Sequence, residues 1–149
     1  MYAFSPHAIP PALTSLAVIA FGIGLLRRPT RVHRAFAMMT ATVAIWLGAF
    51  AFVYSSQSAS IAYFWVKAAY LAVPAIAPAV YQLSVEMLRI HEQRRNAVRL
   101  GWASAGVATI LVWTSSLLID GVERFSWGFY PRYTVPFSFG FLLIFFGYL

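Results

Sequence analysis

The fold is decided by the stretch from Phe64 to Ile90, which reads FWVKAAYLAVPAIAPAVYQLSVEMLRI. In a soluble protein, Pro74 and Pro78 would end a helix, because each removes a backbone donor and clashes with the preceding turn. In a membrane, a kinked helix supported by its neighbours avoids leaving backbone groups unpaired in hydrocarbon. The 20 residues from Ala68 to Met87 cover about 30 Å, the thickness of the bilayer core. The stretch therefore predicts a membrane-spanning helix, the third in the chain, kinked at the two prolines.

The composition of the whole chain supports the same class of protein. Hydrophobic residues make up 61% of the sequence and charged residues 10%, and the mean hydropathy is +0.74. A soluble domain carries roughly 25% charged residues, so too few are present for a solvated surface. There is no cysteine, which excludes a disulfide framework and a thiol nucleophile. We predict an all-α integral membrane protein, and no polar linker divides residues 1–149 into more than one domain.

Five apolar segments are the predicted spans of a bundle of about five transmembrane helices. They lie near residues 9–26, 35–54, 64–88, 100–119 and 135–149. The last segment has 15 residues, about 22 Å of helix, which is shorter than the bilayer core. Whether the natural chain continues past Leu149 is therefore left open.

Arginine is confined largely to two of the four connections between these spans. Those two connections hold Arg27, Arg28, Arg31, Arg34, Arg89, Arg94, Arg95 and Arg99. The connection around residues 55–60 is uncharged, and the one at residues 120–134 balances two acidic residues against two arginines. Arginine-rich short loops stay on the cytoplasmic side. The pattern predicts a membrane protein with its N-terminus outside, and it explains the net charge of +7 without a nucleic-acid partner.

Aromatic and basic residues at the ends of the spans are predicted to anchor the chain at the membrane surface. Aromatic side chains are typical of the headgroup level, where lysine can also extend its ammonium group toward water. The predicted interface anchors are Trp65, Lys67, Trp127, Tyr130 and Tyr133. Membrane lipids are accordingly expected partners.

Small residues form a stripe along the second span. They are Ala37, Ala41, Ala44, Gly48 and Ala51, spaced four, three, four and three residues apart. Such spacing places them on one helix face, where small side chains let two membrane helices approach closely. The alternative is chance in an alanine-rich segment.

The sequence offers few groups for chemistry. His7, His33 and His91 lie at or near predicted helix ends, so none is placed to ligate a haem or pigment within the bilayer. Glu86 precedes Arg89 by three residues, a spacing at which the two side chains can pair on a helix. With four acidic residues in the chain, general acid–base catalysis has few candidates. We predict no catalytic residue, metal site or cofactor, and no enzymatic activity.

Several of these features resemble the N-terminal seven-helix membrane region of bacterial histidine kinases. The resemblance lies in Arg27, Arg28 and Arg31 after the first span, Trp46 in the second, the segment Phe64–Tyr70 with its proline-containing span, and the glycine and aromatic loop from Gly121 to Tyr133. It covers nearly the whole chain. The resemblance implies an outside N-terminus and a sensory bundle that feeds a cytoplasmic effector.

Two functions follow as hypotheses. The first is a non-catalytic accessory subunit that packs against other transmembrane proteins in a hetero-oligomeric complex, for example a photosynthetic or respiratory one. The second is the sensory input region of a histidine-kinase-type receptor, in which a ligand, not identified by the sequence, shifts the bend at Pro74 and Pro78. The small-residue stripe motivates the first hypothesis, and the resemblance together with the proline pair motivates the second.

Overall fold

The computed structural model describes residues 2–27 and 30–147, and most of them are helical. A 3-10 turn at Pro6–Ala8 leads into the first helix. The elements are α1 (Ile9–Leu26), α2 (Arg31–Ser55), α3 (Ala59–Ala69), α4 (Val73–Met87), α5 (His91–Thr114), β1 (Ile119–Phe125), β2 (Gly128–Tyr133) and α6 (Val135–Gly147).

Four helical segments in the described residues are long and apolar enough to cross a membrane. They are Pro6–Leu26, Arg31–Ser55, Ala59–Met87 and His91–Thr114. The predicted class, a multi-pass helical membrane protein, is confirmed. The predicted fifth span corresponds to α6, whose 13 residues fall short of the roughly 20 that a bilayer requires; Tyr148 and Leu149 lie outside the described residues.

The helix ends differ from the predicted span ends for a simple reason. The hydroxyl of Thr30 accepts a hydrogen bond from the His33 backbone N–H at 3.2 Å, so α2 starts at Arg31 rather than at Ala35. Helix α5 starts at His91 and ends at Thr114, whereas the predicted span ran over residues 100–119. Apolarity marks only the part of a helix that suits hydrocarbon, and the helical hydrogen bonds continue into the polar flanks.

The third span consists of two helices joined by a turn. At Leu71 and Ala72 the backbone N–H groups bond to the carbonyl three residues earlier, instead of four residues earlier as in an α-helix. Leu71 N–H donates to Ala68 O at 3.1 Å, and Ala72 N–H donates to Ala69 O at 3.0 Å. Pro74 falls in the first turn of α4, where its missing donor is tolerated, and Pro78 lies inside α4. The helical ladder is thus interrupted ahead of Pro74, while a kink at the prolines themselves stays a prediction.

The aromatic segment after α5 folds as an antiparallel hairpin, whereas its sequence predicts a loop. Phe125 pairs with Gly128 and Arg124 with Phe129 across it. Phe129 and Pro131 are buried, whereas Tyr130 and Arg132 between and beside them are exposed. This alternation is the two-residue period of a strand with one face on a core.

The chain runs back and forth, so the bundle has two distinct ends. At one end, the Ala3 N–H donates to Ser55 O at 2.8 Å, and the Tyr63 hydroxyl donates to Ile119 O at 3.2 Å. We call this the hairpin end, and its buried residues are Val53, Ala62, Val66, Tyr70, Val112, Leu118, Ile119 and Phe129. The opposite end is the arginine end. It carries Arg27, Arg31, Arg34, Arg89, Arg94, Arg95 and Arg99, while Arg28 lies outside the described residues.

Candidate functional site

A cavity of about 690 Å³ lies at the hairpin end and extends down into the bundle. We call it the aromatic cavity. Helices α1, α2, α4 and α6, the turn between α3 and α4, and the hairpin all contribute to its wall. The lining residues are Pro10, Pro11, Thr14, Trp46, Leu47, Phe50, Tyr54, Tyr70, Val73, Ile76, Tyr130, Tyr133 and Phe145.

Helix α2 presents a row of rings to this cavity. Trp46, Phe50 and Tyr54 follow one another at intervals of four residues, which places them on one helix face. The ring centroids are 6.1 Å apart for Trp46 and Phe50, and 5.8 Å apart for Phe50 and Tyr54. Sequence reasoning missed this row as a site, although the four-residue spacing of the rings was a signal that could have found it.

Three of the predicted interface anchors are brought together on the hairpin. Tyr130 and Tyr133 line the cavity. Trp127 packs edge-on against Tyr54 and against Tyr130, each at 5.7 Å between centroids. These rings therefore form the wall and rim of the cavity, and their depth relative to the lipid headgroups stays a prediction.

Tyr133 also links the hairpin to the break in the third span. Its ring centroid lies 6.4 Å from that of Tyr70, and Tyr70 is the residue at which α3 ends. Burial, together with interactions and hydrogen bonding with Tyr70 and Tyr130, raises the pKa of Tyr133. The hydrogen bonds favour the protonated form, so the Tyr133 hydroxyl acts as a donor within this group of tyrosines.

The other two predicted anchors lie away from the cavity. The Trp65 indole N–H donates to the Tyr2 hydroxyl at 2.8 Å, and its ring stacks on Phe52 at 4.2 Å. The Lys67 ammonium donates to Trp113 O at 3.3 Å and lies 5.0 Å from the centroid of the Tyr63 ring. Both side chains tie neighbouring segments to α3.

The small-residue stripe is divided between different surroundings. The Ser15 hydroxyl of α1 donates to Ala44 O at 2.8 Å, and a Cβ added at Gly48 would lie 3.2 Å from Ser15 Oγ. Ala37 is buried and Ala41 is exposed. Gly48 and Ala51 border a second cavity of about 370 Å³ between α1 and α2. Part of the stripe thus packs within this chain.

At the arginine end, Glu86 pairs with a different residue from the one expected. Its carboxylate lies 2.7 Å from Nδ1 of His91, and the Glu86 side chain is 7% exposed. Arg89 adopts a left-handed backbone conformation with φ 58°. The Arg89 N–H donates to Glu86 O at 3.2 Å and the Ile90 N–H donates to Val85 O at 3.1 Å, which is a Schellman ending of α4.

The residues that line the aromatic cavity are better suited to binding a ligand than to catalysing a reaction. The described lining residues of the aromatic cavity are uncharged, and the polar side-chain groups among them are four tyrosine hydroxyls, the indole N–H of Trp46 and the hydroxyl of Thr14. Among residues 2–27 and 30–147, no three histidine or carboxylate side chains come close enough to hold a metal ion. A concave, mostly apolar site with a few convergent polar groups is typical of small-molecule binding.

The fold and the cavity together define a multi-pass helical membrane protein with a ligand-sized site at one end of its bundle. The chain belongs to a family described as the N-terminal 7TM region of histidine kinase, whose model matches residues 11–149. The search of curated proteins and the search of solved structures returned no match. Membership of this family supports the sensory hypothesis, and it lends no support to the accessory subunit of a larger complex.

Proposed function

We propose that this chain is the sensory input region of a histidine-kinase-type receptor in the bacterial inner membrane. The observation that carries the proposal is the aromatic cavity, which joins α1, α2, α4, α6 and the hairpin to the break in the third span. A ligand there would contact α1, α2, α4, α6 and β2 together. In this proposal the chain catalyses no reaction itself and passes its signal to a cytoplasmic kinase, and membership of the histidine-kinase family supports that role.

The break in the third span is the element through which the signal would travel. Tyr70 lines the cavity and ends α3, and Pro74 and Pro78 follow within two turns. A ligand that favours one arrangement of this segment shifts the population of two pre-existing states. Binding energy at the hairpin end thereby moves α4 and its connection to α5 at the arginine end.

A cavity-filling variant tests the sensory function directly. Leu47→Trp places a large ring in the cavity, and Ile45→Trp is the matched control because Ile45 is 50% exposed on the same helix. The readout is acid-labile phosphohistidine formed from ATP in membranes of the natural host. We expect Leu47→Trp to change the basal level at least two-fold and Ile45→Trp to leave it unchanged. An identical level in membranes that lack the gene would overturn the proposal.

The proline pair is tested with the same readout. Replacing Pro74 and Pro78 together with alanine restores two backbone donors and straightens the span, so the basal phosphohistidine level should change. Pro6→Ala, at an exposed position in the N-terminal turn, is the control. Output that does not respond to the double replacement would remove the proline bend as the switching element.

The proposed orientation places the hairpin in the periplasm and the arginine end in the cytoplasm, since arginine-rich short loops are retained inside. The chain has no cysteine, so single cysteines report accessibility cleanly. Ser126→Cys and Gln93→Cys are both at exposed positions. A membrane-impermeant maleimide should label the first in intact cells and the second only after permeabilisation. The reverse labelling pattern would show that the proposed topology is inverted.

A further inference from the structure

The lining of the aromatic cavity carries information about the chemistry of its occupant. Its described wall contains no aspartate, glutamate, lysine, arginine or histidine. Two of the basic groups on adjacent elements are engaged elsewhere: Lys67 with Trp113 O at 3.3 Å, and Arg132 with Asp120 at 2.8 Å. Moving an ion from water into such a site without a counter-charge is unfavourable. The wall therefore selects an uncharged molecule.

The polar groups of the wall are unevenly distributed along it. Tyr54, Tyr70, Tyr130 and Tyr133 all lie at the hairpin end. Trp46 lies eight residues before Tyr54 on α2, which is about 12 Å deeper in the bundle. Phe145 lies ten residues into α6, about 15 Å along that helix. The cavity is thus elongated, with hydroxyl groups at its outer end and a mainly apolar lower part in which Thr14 is a further polar side chain.

The tyrosine hydroxyls at the outer end are suited to a hydrogen-bond acceptor. A neutral phenol donates one proton, and the hydroxyls of Tyr133 and Tyr70 are hydrogen-bonded to each other there. Tyr130 and Tyr133 remain 38% and 37% exposed, so a ligand can reach them. An oxygen of a ligand placed between Tyr70 and Tyr133 would replace the bond between these two hydroxyls and accept from the hairpin and from the broken span together.

We propose that the aromatic cavity binds an uncharged amphiphile, with its apolar body beside Trp46 and Phe145 and an oxygen acceptor at Tyr70 and Tyr133. This inference rests on the proposed function, which explains why the cavity would hold a ligand, and it adds the chemical class of that ligand. Such a compound dissolves in the membrane, so it reaches the cavity from the outer leaflet or from the periplasm. The acceptor end then touches the segment that the proposed mechanism requires to move.

Benzophenone is a suitable probe, because it is uncharged, carries one carbonyl oxygen and forms covalent adducts on illumination. The full chain would be labelled in lipid nanodiscs, and the adducts would be located by peptide mass spectrometry. The excited carbonyl reacts with C–H bonds next to it, so we expect adducts to concentrate on the cavity wall where the carbonyl lies, at Tyr70 and Val73. Leu13 and Leu16, which are 61% and 63% exposed on α1, report the background from probe dissolved in lipid.

Competition with isosteric compounds defines the head group and the charge. Diphenylmethane lacks the carbonyl, 4-benzoylbenzoate adds a negative charge, and a trimethylammonium derivative of benzophenone adds a positive one. We expect each compound, added as a competitor, to protect the cavity from photolabelling at least about three-fold more weakly than unlabelled benzophenone does. This lies within the two- to ten-fold range of one hydrogen bond. Stronger protection by either ion would overturn the inference, and so would labelling spread evenly over the cavity and the α1 background positions.

A pair of tyrosine variants tests the assigned acceptor position. Tyr70→Phe combined with Tyr133→Phe should weaken benzophenone protection by about two- to ten-fold and leave that of diphenylmethane unchanged. Tyr63→Phe is the matched control, since Tyr63 donates to Ile119 O at 3.2 Å outside the cavity. Equal loss in the control and the double variant would contradict the assignment.

The labelling and the phosphohistidine measurement separate the two proposals. Cavity labelling with the expected preference but no change of host phosphohistidine removes the sensory function and leaves the ligand class standing. If a cavity variant alters the phosphohistidine level but the protein shows no preference for benzophenone, the ligand class is removed and the sensory function stands.

Discussion

The interface between α1 and α2 and the hairpin end are built from opposite kinds of residue. Between α1 and α2, small side chains let the backbones approach: a Cβ at Gly22 would lie 2.6 Å from Thr40 Oγ1, and Ser15 bonds directly to Ala44 O. At the hairpin end, large rings meet edge-on and line an open cavity of about 690 Å³. Close backbone packing leaves a smaller cavity of about 370 Å³ between α1 and α2, whereas rings that meet at their edges form the wall of a larger one.

The largest expected effect is at the closest backbone approach. Gly22→Leu forces a side chain into Thr40, and overpacking of this kind costs about 3 kcal/mol. Gly24→Leu is the matched control, because nothing lies within 4 Å of a Cβ built there. Unfolding of the purified protein by SDS in mixed micelles, followed by circular dichroism, measures both.

A second change shows whether the Gly22 effect comes from this contact. The methyl group of Gly22→Ala would meet the Thr40 hydroxyl, so this variant should also lose stability. Adding Thr40→Ala removes that hydroxyl, and the double variant should regain most of the stability lost by Gly22→Ala. If Gly22→Leu and Gly24→Leu unfold at the same SDS fraction, the two helices do not approach as described.

The next effect is at the tip of the hairpin. Gly128 has φ 137°, and a Cβ there would lie 3.3 Å from the Cα of Tyr54. Gly128→Ala should therefore cost about 1–2 kcal/mol and loosen the rim of the aromatic cavity. Faster proteolysis of the hairpin reports the loosening. In the control Gly121→Ala the nearest atom is 3.7 Å away, and comparable proteolysis of the two variants would remove the strain argument.

A smaller effect is expected from the hydrogen bond between α1 and α2. Ser15→Ala removes the bond to Ala44 O, and such interhelical bonds in membranes average about 0.6 kcal/mol. Ser84→Ala serves as control, since Ser84 bonds within its own helix to Val80 O. The same SDS titration should show a shift for Ser15→Ala alone, and a shift of the opposite sign would mean that the serine is strained.

The smallest effect is expected at the exposed ion pair of the hairpin. Arg132 donates to Asp120 at 2.8 Å, and this bond raises the pKa of Arg132, but solvent screens exposed pairs. Asp120→Asn should leave the unfolding midpoint unchanged. A large shift would show that charges, rather than aromatic packing, hold the hairpin in place.

The two regions differ in how far the sequence predicted them. Residues near Ala44 and Gly48 stood out by spacing, and both contact Ser15 in the structure. That the partner would be α1 of the same chain could not be read from the spacing, because a small-residue stripe is equally suited to any neighbouring helix. The rings of the cavity were visible only in part: Tyr130 and Tyr133 were predicted as lipid anchors, and Tyr54 and Phe50 were not predicted as a site.

The sequence by itself determined the class of protein and four of the five predicted spans, since composition and apolar length reflect the solvent that surrounds each segment. It also carried the family, whose model matches residues 11–149. Only the tertiary structure decided that residues 120–134 pair as strands, that Glu86 meets His91, and that Tyr70 meets Tyr133. The hairpin depends on backbone pairing, the Tyr70–Tyr133 contact on segments distant in the chain, and the Glu86–His91 contact on the left-handed turn at Arg89. Hydrophobicity alone specifies none of these.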